Sequence, residues 1–360
     1  MSLQDFIYNG QPSRVVFGAG SLRHLEREID LLGARRALVL STPEQAAQAQ
    51  MVADRLGARA AGIFPRAVMH VRIEVVQEAR DTARRLGADC AVAIGGGSTT
   101  GLGKAIALDS GLAILAIPTT YAGSEMTPIY GITEGALKKT GKDPRVLPRT
   151  VIYDPELTLS LPVAMSVTSG MNAIAHAAEG LYAQDSNPVM DLMAEEGIRA
   201  LAQALPAIRQ RSTNIEARGE ALYGAWLCGC VLGNVGMALH HKLCHTLGGS
   251  FNLPHAEVHT VVLPHAIAFN AEAAPQAMAR IRRALGLAAG TSAAAGLFDL
   301  ARDNGAPVAL QDIGMKREDL DRAAEIAVGN PYWNPRPFGS AQRDAIRQLL
   351  QEAYEGVRPA

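Results

Sequence analysis

Short apolar runs alternate with amphipathic stretches over the first 150 residues. Arg36-Ala37-Leu38-Val39-Leu40 reads as a buried strand. Ser41 or Thr42 then offers a cap, and Pro43 a first turn, for a helix over 45–56. Apolar runs at 60–64, 90–94 and 112–117 read as further strands, and residues 73–86 and 99–108 have helical spacing. Strands alternating with helices imply βαβ units and a mostly parallel sheet covered on both faces. Past Asp154-Pro155 the period changes. Helical spacing dominates at 163–182, 188–210, 214–245, 275–285, 317–327 and 340–354, and β-branched alternation is sparse. The expected fold is an α/β, Rossmann-like parallel-sheet domain over 1–158, then an all-helical domain over 159–360, with the boundary between 154 and 162. No repeat or low-complexity linker separates them, so we expect direct packing with a cleft between the two, a common place for a ligand.

Composition narrows the function. Of 360 residues, 34 are basic and 35 acidic, a balance that argues against nucleic acid or an anionic membrane as partner. The charged fraction of 19% is low and points to an oligomer that hides surface. No apolar run is long enough to span a bilayer, and MSLQDFIYNG lacks a leader pattern. Four cysteines make no disulfide framework. Cys90 reads as a buried apolar residue, Cys228 and Cys230 face different directions, and Cys244 reads as packing. A reducing cytoplasm is expected.

Ala91-Val92-Ala93-Ile94 runs into Gly95-Gly96-Gly97-Ser98 and then into a helix. Glycines admit close approach of an anion, and the helix N-terminus holds it with free N–H groups. This is neither GxGxxG nor a P-loop. A second polar loop, Pro118-Thr119-Thr120 through Ser124-Glu125, follows the next strand. Two such loops at the ends of successive parallel strands suggest a dinucleotide across the sheet edge. Ser41 ends an earlier strand at the position of a ribose contact; a hydroxyl there predicts weak discrimination between NADH and NADPH. Lys139, in the basic stretch Lys138 to Arg145, is a candidate to reach the cofactor.

Histidines are concentrated in the helical part. Asn172 and His176 share a helix face, as do His241 and His245, and His255 follows a glycine-containing turn. Neutral imidazoles suit Zn or Fe(II) and move protons near neutral pH. His240 points away from His241 and is left out of the site, as are His259 and His265.

Together these motifs resemble the iron-containing (group III) alcohol dehydrogenases over nearly the full length. They include Phe17-Gly18-Ala19-Gly20, Gly95 to Ser98, Asp154-Pro155, Gly170-Met171-Asn172-Ala173 with His176, His241 to Gly249, and Pro254-His255. In finer detail, Gly97 to Lys104, Thr119 to Pro128 and His240 to Gly249 are similar to the maleylacetate reductases. That resemblance implies reduction of the C=C bond of maleylacetate and chloromaleylacetates to 3-oxoadipate by NADH or NADPH, in aromatic-compound degradation, by a cytoplasmic homodimer. It places the cofactor on Gly95, Gly96, Gly97, Ser98, Thr119, Thr120 and Ser124. It implies a divalent metal, Zn or Fe, on His176, His241 and His255. Asn172 stands where the alcohol dehydrogenases carry Asp, and Gly101 where they carry a second Asp. Losing both acids suits a dianionic substrate and removes the metal's anionic ligand, so we expect activity without metal. His241 and His245 are expected to stabilise and protonate the enolate, with Tyr332 hydrogen-bonding the substrate. Lys104, Lys242 and Arg336 are expected to meet the carboxylates. The rival reading is a metal-dependent alcohol or hydroxyacid dehydrogenase on the same scaffold.

Overall fold

The computed structural model describes Phe6, Tyr8, Gly10, Gln11 and residues 13–360 except Ala136. Most of the first ten residues, read above for a leader, therefore lie outside the described residues. Two compact units divide at Leu161/Pro162.

The first unit alternates strands and helices in chain order: β1 (Arg14–Phe17), α1 (Leu25–Leu31), β2 (Ala37–Leu40), α2 (Ala46–Leu56), β3 (Ala60–Phe64), α3 (Ile73–Leu86), β4 (Cys90–Gly95), α4 (Gly97–Ser110) and β5 (Ala113–Pro118). A hairpin of β6 (Ile129–Glu134) and β7 (Leu137–Lys142) precedes β8 (Thr150–Tyr153). Six strands form one parallel sheet in the order β1-β8-β5-β4-β2-β3. Strand alternation divides the core. Val39, Val92, Ile94 and Leu115 pack with Leu25, Ile29, Val52 and Leu56 on one face, while Leu38 and Leu40 pack with Val76, Leu102 and Ile106 on the other. The order reverses between β2 and β4, so their carboxyl ends flank the crevice where such sheets bind ligands. Asp154 closes the other side of the sheet: its carboxylate accepts from Gly20 N–H at 3.0 Å and Leu22 N–H at 2.9 Å. That bond accounts for the pairing of the Phe17–Gly20 and Asp154-Pro155 motifs.

The second unit, from Pro162, contains only helices among its described residues: α5 (Val163–Gly180), α6 (Pro188–Gln210), α7 (Ile215–Asn234), α8 (Leu239–Phe251), α9 (His255–Asn270), α10 (Pro275–Ala284), α11 (Ala293–Asp303), α12 (Leu320–Gly329) and α13 (Arg343–Glu355), with short 3₁₀ turns. Its core joins Leu239, Leu243 and Leu247 of α8 to Val258 and Val262 of α9 and to Ile346 and Leu350 of α13. No single helix is long and apolar enough to cross a membrane.

Besides β1, α1, β8 and α11, which the pattern did not mark, three features depart from the sequence reading. The single helix expected over 214–245 is two, α7 and α8, meeting at 96°. The break at Val235–Ala238 is held by polar caps: Gly236 N–H donates to Asp185 Oδ1 at 2.8 Å and Ala238 N–H to Glu179 Oε2 at 3.0 Å. The basic stretch 138–145, given no strand on sequence, is mostly strand β7, whose Lys138 side chain lies outside the described residues. Helix α9 was not anticipated; Pro264 lies inside it and its apolar positions are nearly continuous, which hides the helical period.

Candidate functional site

In the first unit the glycine run has a division of labour. Gly95 has φ +151°, and a Cβ there would lie 2.4 Å from Thr99 Oγ1 and 2.7 Å from Gln45 Oε1. Packing alone therefore demands glycine. Gly97 is open: a Cβ would find only Ala122, at 3.9 Å. It begins α4, whose first N–H groups lack helical partners and form an anion cradle. Thr99 Oγ1 is buried there with no protein hydrogen-bond partner. Ser98, Thr120 and Ser124 are partly exposed on the same unit. Gln45 joins the strand ends: Nε2 donates to Thr119 Oγ1 at 2.7 Å and to Gln48 Oε1 at 3.1 Å. Thr119 N–H in turn donates to Gly95 O at 3.0 Å. The sequence reading used Gln45 only as a helix residue; its position in the turn between β2 and α2 was the available signal.

Several expectations for this unit are corrected. Ser41 is fully buried and its hydroxyl donates to Thr42 O at 3.0 Å, so it offers nothing to a ribose. Lys104 is buried and does not present a cation to a carboxylate. Its Nζ donates to Ser124 O at 2.6 Å, Ile129 O at 2.8 Å and Thr127 Oγ1 at 2.9 Å. Burial pulls it down to about 7, with Glu125 opposing, and three close oxygens favour the protonated form. Glu125, equally buried, is pushed up by burial while accepting from Tyr153 OH at 2.8 Å. Lys139 is exposed and pairs with Glu134 at 2.6 Å. At Gly101 a Cβ would lie 2.7 Å from Val71 Cγ2, and Val71 itself has φ +46°. Room for this strained loop, as well as charge, explains glycine there.

In the second unit His176, His240, His241 and His259 form one buried group organised by Glu179, with His245 and His255 exposed at its edge. That carboxylate, on α5, is fully buried. It accepts from the backbone N–H of Ala238 at 3.0 Å, His240 at 2.7 Å and His241 at 3.3 Å, capping α8. It also takes His241 Nδ1 at 2.6 Å. His241 Nε2 then meets His176 Nδ1 at 2.9 Å. With both nitrogens engaged and the ring buried, His241 is a link in a chain and is not placed to touch substrate.

His240 and His259, set aside on sequence, belong to the group. His240 Nε2 and His259 Nδ1 are 2.9 Å apart, and the His259 ring lies 5.0 Å from His241 and 4.4 Å from His255. Burial first, then the neighbouring imidazoles, holds both well below the ordinary histidine range. The i, i+1 spacing that excluded His240 from the His241 face turned it onto α9 instead. Asn172 Oδ1 is buried with no protein hydrogen-bond partner.

His245 faces outward from α8, and its Nδ1 lies 3.0 Å from Tyr332 OH. Lys242 Nζ sits 5.7 Å from the centre of the Tyr332 ring, and burial lowers its pKa. Burial, with Glu179 adding, raises Tyr332. The loop that carries Tyr332 is fixed by Asn334, whose Nδ2 donates to Asn270 Oδ1 at 2.6 Å while its Oδ1 accepts from Asn270 Nδ2 at 3.1 Å and Leu239 N–H at 3.3 Å. Exposed Arg336 stacks on Phe269, 4.2 Å from the ring centre, and donates to Phe269 O at 3.1 Å. The sequence reading missed Glu179, Asn270 and Asn334. A lone acid in the apolar run after His176 was the one visible signal.

Residues 12–155 match the iron-containing alcohol dehydrogenase model, and residues 166–354 match that of the Fe-containing alcohol dehydrogenase family, C-terminal. A maleylacetate reductase of Burkholderia cepacia is 67% identical over 358 residues, 99% of this chain and 100% of that one. Another, of Pseudomonas sp. (strain P51), is 60% identical over 355 residues, 99% of each. The crystal structure of maleylacetate reductase from Agrobacterium tumefaciens superposes with a TM-score of 0.94 at 57% identity, covering 99% of this chain and 100% of that one. The chain therefore belongs to the iron-containing alcohol dehydrogenase family and, within it, to the maleylacetate reductases.

Proposed function

We propose that the protein reduces the C=C bond of maleylacetate, and of chloromaleylacetates, to 3-oxoadipate and its chlorinated counterparts, using NADH or NADPH. The observation that carries the reading is the outward trio Lys242, His245 and Tyr332 on a chain 67% identical to a maleylacetate reductase.

The residues of the first unit fit a dinucleotide. The open start of α4 at Gly97, the unpartnered Thr99 hydroxyl and the Gln45–Thr119 pair supply donors for phosphate and ribose oxygens. When bound, the reduced nicotinamide supplies the hydride. Delivery to an alkene carbon conjugated with the ketone leaves an enolate. Lys242 offers that charge a cation, and Arg336 has the geometry for a carboxylate. Tyr332 OH and His245 Nδ1 hold a proton between them at 3.0 Å; this pair donates it to carbon. Cytoplasmic location and a homodimer belong to the same proposal.

The family's description names iron, so the expectation that no metal is required loses its support. At the family position the residues present offer an ion only neutral donors: Asn172 brings no charge, and His176 Nδ1 and His241 Nε2 lie 2.9 Å apart.

The test is NADH oxidation with fresh maleylacetate, with 3-oxoadipate identified as product. Turnover of simple alcohols without maleylacetate reduction would replace this reading with the alcohol dehydrogenase one.

A further inference from the structure

His240 and Cys244 lie one helical turn apart on α8 and share a face that meets His259 of α9. All three are buried, and their ligand atoms lie within 4.8 Å of one another. Among the described residues they are the one trio of His, Cys, Asp or Glu side chains grouped so closely. His240 Nε2 is 2.9 Å from His259 Nδ1 and 3.5 Å from Cys244 Sγ. Tetrahedral zinc with ordinary bond lengths has ligand edges of about 3.3 Å between two nitrogens and about 3.6 Å between nitrogen and sulfur. The group matches the second edge and needs a slight opening of the first.

The donor chemistry separates this set from the family position. Asn172 with His176, His241 and His255 is neutral throughout, whereas Cys244 becomes a thiolate when its proton is displaced and so supplies an anionic ligand. A soft sulfur donor favours zinc over harder ions. We propose that His240, Cys244 and His259 form a buried site for a divalent zinc ion, displaced from the family position. Binding forms one Zn–S and two Zn–N bonds, breaks one S–H bond and releases that proton to solvent. No electron is transferred. The site stands independently of the substrate assigned above.

The test uses the full chain stripped with a chelator. Zn(II) is titrated by calorimetry in buffers of different ionisation enthalpy, which counts protons released, and Co(II) is titrated optically. We expect about one ion and about one proton per chain, with a near-ultraviolet sulfur-to-cobalt charge-transfer band. Cys244→Ser should remove the band and the proton, while His176→Ala keeps both. Three results overturn the proposal: no ion bound by the wild-type chain, an ion bound without the band, or a band kept in Cys244→Ser and lost in His176→Ala. The wild-type titrations decide the first two even where a variant fails to fold.

Discussion

At the scale of single residues, Tyr332 and His245 share a hydrogen bond at 3.0 Å although 87 positions separate them. If this pair delivers the proton, Tyr332→Phe and His245→Asn should each lower kcat roughly 10²- to 10⁴-fold, the usual worth of a positioned acid. Because they act as a unit, the double variant should lose little more than either single one. Steady-state kinetics with maleylacetate checks this; multiplicative losses would mean independent roles. Both residues were legible in the sequence, His245 from helical spacing and Tyr332 from its aromatic loop. Their meeting was not. Nor was the role of Glu179, whose bonds to Ala238, His240 and His241 span about sixty positions. Local pattern names residue types; it carries no information about which distant backbone donors converge on a carboxylate.

At the scale of elements, two buried charges fix geometry through backbone groups. Glu179 caps α8 from another helix. Glu179→Ala would leave backbone donors and an imidazole unpaired, at a cost of about 2–4 kcal/mol in unfolding free energy. Glu179→Gln keeps an acceptor and should lose less; equal losses would mean that charge, not acceptance, holds the cap. In the first unit Lys104 ties α4 to the segment Ser124–Ile129. Lys104→Met should raise the KM for NADH roughly tenfold, equivalent to about 1.4 kcal/mol, with a smaller change in kcat. A direct NADH titration by fluorescence checks the binding part, and an unchanged affinity would separate Lys104 from the cofactor loops. Elements with clear punctuation were read to within a residue or two: α3 and β3 follow from a clean apolar period between glycines and prolines. The α7–α8 break was not, because Val235-Gly236-Met237-Ala238 has no proline and its cause is capping by Asp185 and Glu179.

At the scale of the molecule, buried neutral histidines set the response to acid. His265 on α9 is buried, and neither ring nitrogen has a protein hydrogen-bond partner. Burial lowers it from 6.5 to about 4. The sign follows from proton counts. Between those two values the unfolded chain binds a proton that the folded chain refuses, so stability is full above about pH 6.5 and falls as the pH drops toward 4. That displacement corresponds to about 3 kcal/mol for this one group. His240 and His259 are displaced in the same direction and add to the loss. Carboxylates held low by arginines, such as Asp321 beside Arg343, lose their contribution only at lower pH. Both tryptophans, Trp226 and Trp333, lie in the helical unit, so their fluorescence reports its unfolding. Urea midpoints should fall from pH 7 to pH 4.5 in the wild type and fall distinctly less in His265→Leu, which cannot take up the proton. At pH 7 the variant should be at least as stable, since it removes two unpaired buried nitrogens. Parallel declines in the two proteins would exclude His265 as a source of acid sensitivity and leave it to the cluster around His259.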